Sequence, residues 1–166
     1  MGNRVNAINS AKKRKLLEDG LNVRDRLIWN IGIDTGLRIS DILSLKRATV
    51  KKKNFTVCEQ KTGKKKTCKL STNTMDLAIS YMALNPANGK RFLFFNQRTG
   101  KPYTRQAIWK NYKKVATRLK LRHIATHTMR KSYAQDIAKQ FGAAAATTAL
   151  NHSSAQTTHN YLHQRR

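Results

Sequence analysis

Apolar positions recur along most of this chain at intervals of three and four, the period of a helix with one buried face. They fall into blocks with recognisable starts and stops. Ser10 precedes a basic run and predicts an N-capped helix that stops before Gly20. From Asn22 onward Val23, Leu27, Ile28 and Ile31 lie on one helical stripe, closed by the turn signal Asp34-Thr35-Gly36. A second helix carries Ile39, Ile42, Leu43 and Leu45. The character changes at Ala48. Residues 54–60 and 64–70 are β-leaning and flank a Thr62-Gly63 turn, which predicts a hairpin with Lys61 at its bend. Helical spacing returns over 73–84 with Met75, Ile79 and Met82 on one face. A short apolar run, Arg91 to Phe95, leads into the turn-rich Gln97–Tyr103. Thr104 then caps a helix whose seam is Ile108, Tyr112, Val115 and Leu119. Residues 127–141 repeat the pattern with Met129, Tyr133, Ile137 and Phe141, and Gly142 ends it. An Ala-rich helix over 143–150 and a short one over about 155–163 complete the chain.

The fold class predicted is mainly α with one small antiparallel β-sheet, an α+β arrangement. There is no internal repeat and no low-complexity linker, and 166 residues suit one domain with a real core. Residues 1–10 are polar and expected to be loose. Residues 1–21 read as an N-terminal segment, and 22–166 as the domain proper.

Charge narrows the function. Against 34 Lys plus Arg stand 8 Asp plus Glu, a formal +26. So much positive charge on a small chain calls for a polyanion, and nucleic acid is the commonest, since each bound phosphate releases a condensed counterion. A membrane surface fits less well, because no helix pairs a broad apolar face with an all-basic one. The acids Glu18, Asp19, Asp25, Asp34, Asp41, Glu59, Asp76 and Asp136 are scattered, which argues against a two-metal nuclease. No Cys and His pair at zinc spacing, so neither metal nor cofactor is expected. Cys58 and Cys68 each lie five residues from Gly63 and could face one another across the hairpin. A disulfide is one reading; two reduced thiols is the favoured one, because no secretory segment precedes them. A soluble, cytoplasmic protein is expected.

Six residues could carry chemistry. Arg38 follows a Gly turn at a helix start, His127 and Arg130 share a helix face, and Lys61 tips the hairpin. His152 opens the loop Leu150-Asn151-His152-Ser153-Ser154, and Tyr161 follows nine residues later. Each alone is ordinary: in so basic a chain an Arg is usually solvated, a hairpin Lys a soluble turn, and a Tyr packing. Together they make a site rich in donors and poor in acids, suited to the charge of a pentavalent phosphorane. Arg forks hold two phosphate oxygens, imidazoles add donors, and a phenol can attack once the charge is neutralised.

These segments resemble the tyrosine-recombinase, or phage-integrase, family over about Asn22 to Leu162. Thr35-Gly36-Leu37-Arg38-Ile39-Ser40-Asp41 is similar to its first arginine box, His127-Thr128-Met129-Arg130 to its H-x-x-R box, and Leu150-Asn151-His152-Ser153-Ser154 to its L-G-H-S-S box. Thr157-Thr158-His159-Asn160-Tyr161 is similar to its T-x-x-Y motif, and Glu59-Gln60-Lys61-Thr62-Gly63-Lys64 to its lysine hairpin. The resemblance implies that Arg38 and Arg130 grip the scissile phosphate, with His127 and His152 as donors and proton carriers. It implies Lys61 as the acid for the 5′-oxygen, Tyr161 as nucleophile forming a 3′-phosphotyrosine, and Asp41 as support for the arginines. Lys64, Lys65, Lys66 and Lys131 are expected to contact DNA.

Three departures stand out. Asn151 occupies the usual Gly position, where Asn tolerates a left-handed backbone. Lys131 follows Arg130 where His is common. About twenty residues stand where the family has an N-terminal DNA-clamping domain, so a catalytic fragment or a naturally short recombinase is expected. The implied partners are a double-stranded DNA site and sister protomers, four in the complete enzyme. With only Leu162 to Arg166 after Tyr161, the chain alone is expected to be a monomer. The alternatives are a type IB topoisomerase-like relaxing enzyme and a basic DNA-binding module without chemistry.

Overall fold

A computed structural model of the chain describes residues 6–87 and 91–151. Its elements run in the order α1 (Ala11–Gly20), α2 (Val23–Thr35), α3 (Ile39–Leu43), α4 (Arg47–Val50), β1 (Asn54–Cys58), β2 (Lys65–Lys69), α5 (Thr72–Leu84), α6 (Arg105–Arg118), α7 (His127–Phe141) and α8 (Ala143–Ala149). The mainly helical architecture and its single hairpin follow the apolar periodicity. The short helix expected over about 155–163 lies outside the described residues, as do His152 and Tyr161.

Helix α2 is the hub. Asn22 caps it by accepting from the Asp25 backbone N–H at 2.9 Å, and Gly36 stops it in a left-handed turn at φ 63°. Leu27, Ile28, Trp29, Asn30 and Ile31 are all buried, so the helix is wrapped on every side rather than along one stripe. Two glycines let α7 approach it closely. A Cβ on Gly32 would run into Met129, and one on Gly36 into the ring of Tyr133. This close packing carries Arg130, on the same helix, up to the end of α2.

Helix α6 locks onto α2 through a buried acid. Asp25 is 1% exposed, receives Arg24 at 2.7 Å and Asn111 at 3.0 Å, and offers its main-chain carbonyl to the Tyr112 hydroxyl at 3.1 Å. The Trp29 and Tyr112 rings meet edge to face 6.0 Å apart.

Residues 1–10 were expected to be loose, but of these Asn6 to Ser10 pack onto the domain together with α1. Ile8, Leu17 and Leu21 are buried in the common core. The Ile8 N–H donates to Ser132 Oγ at 2.9 Å, and Arg14 forks onto both Asp136 oxygens at 2.6 and 2.9 Å. Few apolar residues anchor this segment, which is why it reads as loose. Helix α1 also runs on to include Gly20.

The hairpin register pairs Phe55 with Cys68 and Cys58 with Lys65. The two cysteines are therefore not cross-strand partners, and both are free thiols, Cys58 exposed and Cys68 buried. Equal distance from Gly63 does not make them opposite, because Glu59 and Lys64 close a bend set off from the centre of the pair: the Glu59 N–H donates to Lys64 O, and Gly63 N–H returns to Glu59 O. Burial pushes the Cys68 thiol up to about 11, leaving it protonated and inert. Along β2 side chains alternate, so Lys66 and Cys68 face inward.

Candidate active site

Arg38 sits at the N-cap of α3 in extended backbone, immediately after the Gly36 turn, and this aims its side chain at the bend of the hairpin. There its Nη1 donates to Glu59 Oε1 at 2.8 Å. Arg130, the fourth residue of α7, brings its Nη1 to the same oxygen at 3.4 Å. That guanidinium is 1% exposed and also donates to the carbonyls of Gly36 and Leu150. One carboxylate oxygen thus lies between guanidinium groups that stand 92 residues apart in sequence.

The other oxygen of Glu59 takes the Thr62 hydroxyl at 3.2 Å and the Asn151 amide at 3.4 Å. Glu59 has no exposed surface. Burial alone would raise its carboxyl, but the charges of Arg38 and Arg130, with the Asn151 and Thr62 hydrogen bonds, outweigh that and hold it below the usual range.

His127 opens α7 at the surface. Desolvation of its ring, and then the charges of Arg130, Arg105, Arg38 and Lys131, hold the imidazole below its ordinary value. Near neutral pH it is therefore unprotonated and able to accept a proton. Lys61 lies exposed in the hairpin turn. Asp41 is 2% exposed and supports the hairpin rather than touching the arginines: its Oδ1 accepts the Gln60 backbone N–H at 3.0 Å.

Of the lysines expected to contact DNA, Lys64 and Lys65 are exposed, but Lys66 and Lys131 are 6% and 7% exposed. Strand alternation turns Lys66 inward, with Nζ 5.0 Å from the centre of the Tyr133 ring, and Lys131 lies on the buried side of α7. Both are turned inward, unlike the exposed Lys64 and Lys65, where a surface contact was expected of all four. Burial, and then the Arg130 charge, pushes the Lys66 ammonium down to about 8.

Four of the six candidate residues, Arg38, Lys61, His127 and Arg130, thus fall around one hairpin and the start of α7. His152 and Tyr161 lie outside the described residues, although Asn151, the neighbour of His152, is inside and touches the site. Sequence reasoning missed Glu59, counting it among scattered acids. A signal was present: it is the lone acid in residues 51–69, which hold eight lysines. No group of three or more His, Cys, Asp or Glu gathers among the described residues.

A helical domain that sets a buried and a half-buried arginine against a lysine hairpin has the fold of tyrosine-recombinase catalytic domains. The chain belongs to the phage integrase family, whose model matches residues 2–166. It is 31% identical over 142 residues to "Probable integrase/recombinase YoeC" of Bacillus subtilis, covering 85% of this chain and 78% of that protein. It is 29% identical to "Tyrosine recombinase XerD" of Staphylococcus aureus, covering 94% of this chain and 61% of that one. Among solved structures, XerA recombinase superposes with a TM-score of 0.82 at 18% identity, over 98% of this chain and 62% of that chain. XerH recombinase bound to its palindromic difH substrate gives 0.80 at 22% identity, over 100% and 51%. No helix among the described residues is long and apolar enough to cross a membrane.

Proposed function

We propose that this chain is the catalytic domain of a site-specific recombinase that cuts and rejoins double-stranded DNA. The observation that carries the reading is the shared seat: Arg38 and Arg130 converge on one carboxylate oxygen beside the hairpin that bears Lys61. Two guanidinium groups aimed at a single oxygen suit the doubly charged equatorial oxygens of a phosphorane. Tyr161 Oη attacks the scissile phosphorus and gives up its proton to a histidine, His127 being unprotonated and able to take it. The bond from phosphorus to the 5′-oxygen breaks, Lys61 protonates that oxygen, and a 3′-phosphotyrosine remains. Rejoining reverses these steps with a 5′-hydroxyl as nucleophile, so the phosphodiester bond energy is kept. The lopsided charge supports a polyanionic substrate, and the bacterial relatives support a cytoplasmic setting. Among the related structures, lambda integrase has been seen as a tetramer bound to a Holliday junction. This supports sister protomers on DNA as partners here.

The test is capture of a covalent adduct on a nicked suicide duplex under denaturing conditions. The full chain forms it and Tyr161→Phe does not, with DNA affinity kept. An adduct that persists in Tyr161→Phe overturns the assignment of the nucleophile. No adduct from the unmodified chain leaves only a DNA-binding module.

A further inference from the structure

Asn151 does more than tolerate a left-handed turn. Its backbone sits at φ 53°, a conformation that glycine would adopt more easily. Its side chain, however, points away from its own loop and onto the hairpin. Nδ2 donates to Glu59 Oε2 at 3.4 Å and to the Lys65 carbonyl at 3.3 Å, reaching partners 92 and 86 residues away. The carbonyl of the preceding residue, Leu150, is held by Arg130 Nη2 at 2.8 Å. Two successive residues at the end of α8 are thus fastened to different parts of the site, one to α7 and one to the hairpin.

We propose that Asn151 is a positioning residue that latches the lysine hairpin to the end of α8. Resting on the recombinase reading, it would fix where Lys61 stands relative to the arginine pair and to the chain entering His152. The hairpin has little else to hold its bend. Lys61, Thr62, Gly63, Lys64 and Lys65 are exposed, and the bend is tied down by Asp41 accepting from Gln60 and by Glu59 beneath. Each Asn151 bond is long and weak by itself, but one acceptor is charged and the two acceptors lie on either side of the bend. Removing the amide takes one bond from each side of the turn at once. A glycine keeps the backbone angle and loses both bonds. An aspartate sets a carboxylate against the Glu59 carboxylate and repels the hairpin.

The experiment has two arms, both on the full chain. In the first, amide hydrogen exchange is followed for Glu59 and Gly63, whose N–H groups close the bend. Asn151→Gly is expected to speed their exchange about tenfold, and Asn151→Asp at least as much, while amides of α2 are unchanged. Unchanged bend amides in both variants overturn the latch. In the second arm, single-turnover cleavage is compared on an ordinary suicide duplex and on one with a 5′-bridging phosphorothioate, whose sulfur leaves without a proton. Asn151→Gly should slow the first about tenfold and the second no more than about twofold, because only the first needs Lys61 in place. Equal slowing of both overturns a role through Lys61. If the unmodified chain cleaves neither duplex, the recombinase reading fails, and the exchange arm still decides the latch.

Discussion

Arg130 donates to the Leu150 carbonyl at 2.8 Å, fixing the first turn of α7 to the last residue of the Ala-rich stretch. The same guanidinium holds the Gly36 carbonyl at the end of α2 and lies beside Glu59. A candidate phosphate ligand therefore also fastens three separate segments.

This dual use makes Arg130 irreplaceable by another cation. Arg130→Lys keeps the charge, but an ammonium cannot reach the Gly36 and Leu150 carbonyls and the Glu59 carboxylate from one fork. The variant should lose about 2–4 kcal/mol of stability, the usual cost of leaving buried acceptors unmatched. Urea unfolding at constant m-value measures it, and a loss below about 0.5 kcal/mol would show the fork to be dispensable.

Glu59 sets an acid limit. Its carboxyl is held below the ordinary 4.5, so the native chain takes up that proton less readily than the unfolded one. The stability it contributes is present at neutral pH and is lost as pH falls below about 4.5 toward the lower native value. Glu59→Gln should be less stable than the parent at pH 7, and its stability should decline less between pH 5 and pH 3. Parallel declines in chemical denaturation would mean that other carboxylates carry the acid limb.

Lys66 carries its charge at a cost, where Glu59 carries its own at a gain. Its Nζ has no hydrogen-bond acceptor among the described residues, and its value falls from 10.5 to about 8. Between those limits the unfolded chain keeps a proton that the native chain has released, so this group makes stability rise with pH across that window. Lys66→Met should abolish that rise. At pH 7 it should stabilise the fold by about 1–3 kcal/mol, since a buried charge with poor pairing is replaced by a side chain of similar length. A destabilised Lys66→Met would show that the contact with Tyr133 outweighs the burial.

Gly36 and Gly63 separate two penalties. Both have left-handed backbone, at φ 63° and 66°, but a Cβ at Gly36 meets Tyr133 whereas one at Gly63 meets nothing. Gly63→Ala should cost only the conformational strain, about 1–2 kcal/mol. Gly36→Ala should add about 1–3 kcal/mol of overpacking between α2 and α7. Equal losses in thermal unfolding would mean that Tyr133 moves aside freely.

Periodicity with cap and stop residues made the long helices legible, and the Thr62-Gly63 turn between β-leaning runs made the hairpin so. Leu27 to Ile31, Ile108 to Tyr112 and Met129 to Tyr133 fall on faces that a helix turns inward, while Val23 and Phe141 at the stripe ends stay exposed. The one-turn α4 was not legible, because four residues carry no period. Arg38, His127 and Arg130 were legible through their boxes. Glu59 was hidden because a carboxylate's worth depends on what faces it, and its partners arrive from remote segments. Lys66 read as a surface charge because one residue in a lysine run gives no sign of which face of the strand it will take. Asn151 read as a backbone substitute because its amide finds acceptors only once the hairpin has folded against α8.

The partners of Glu59 also set a schedule. Arg38 lies 21 residues before it, but Arg130 lies 71 and Asn151 92 residues after it. At ribosomal speeds of about 5–20 residues per second, Asn151 is added roughly 5–18 s after the carboxylate it will bind. For the first 71 residues of that interval the chain gathers positive charge without the second arginine of the pair. On the proposed function, a nascent chain at that stage can cling to nucleic acid before it can cut it. The carboxylate meets all three partners only after Asn151 has been added, so the proposed site is assembled late and from both flanks of the hairpin.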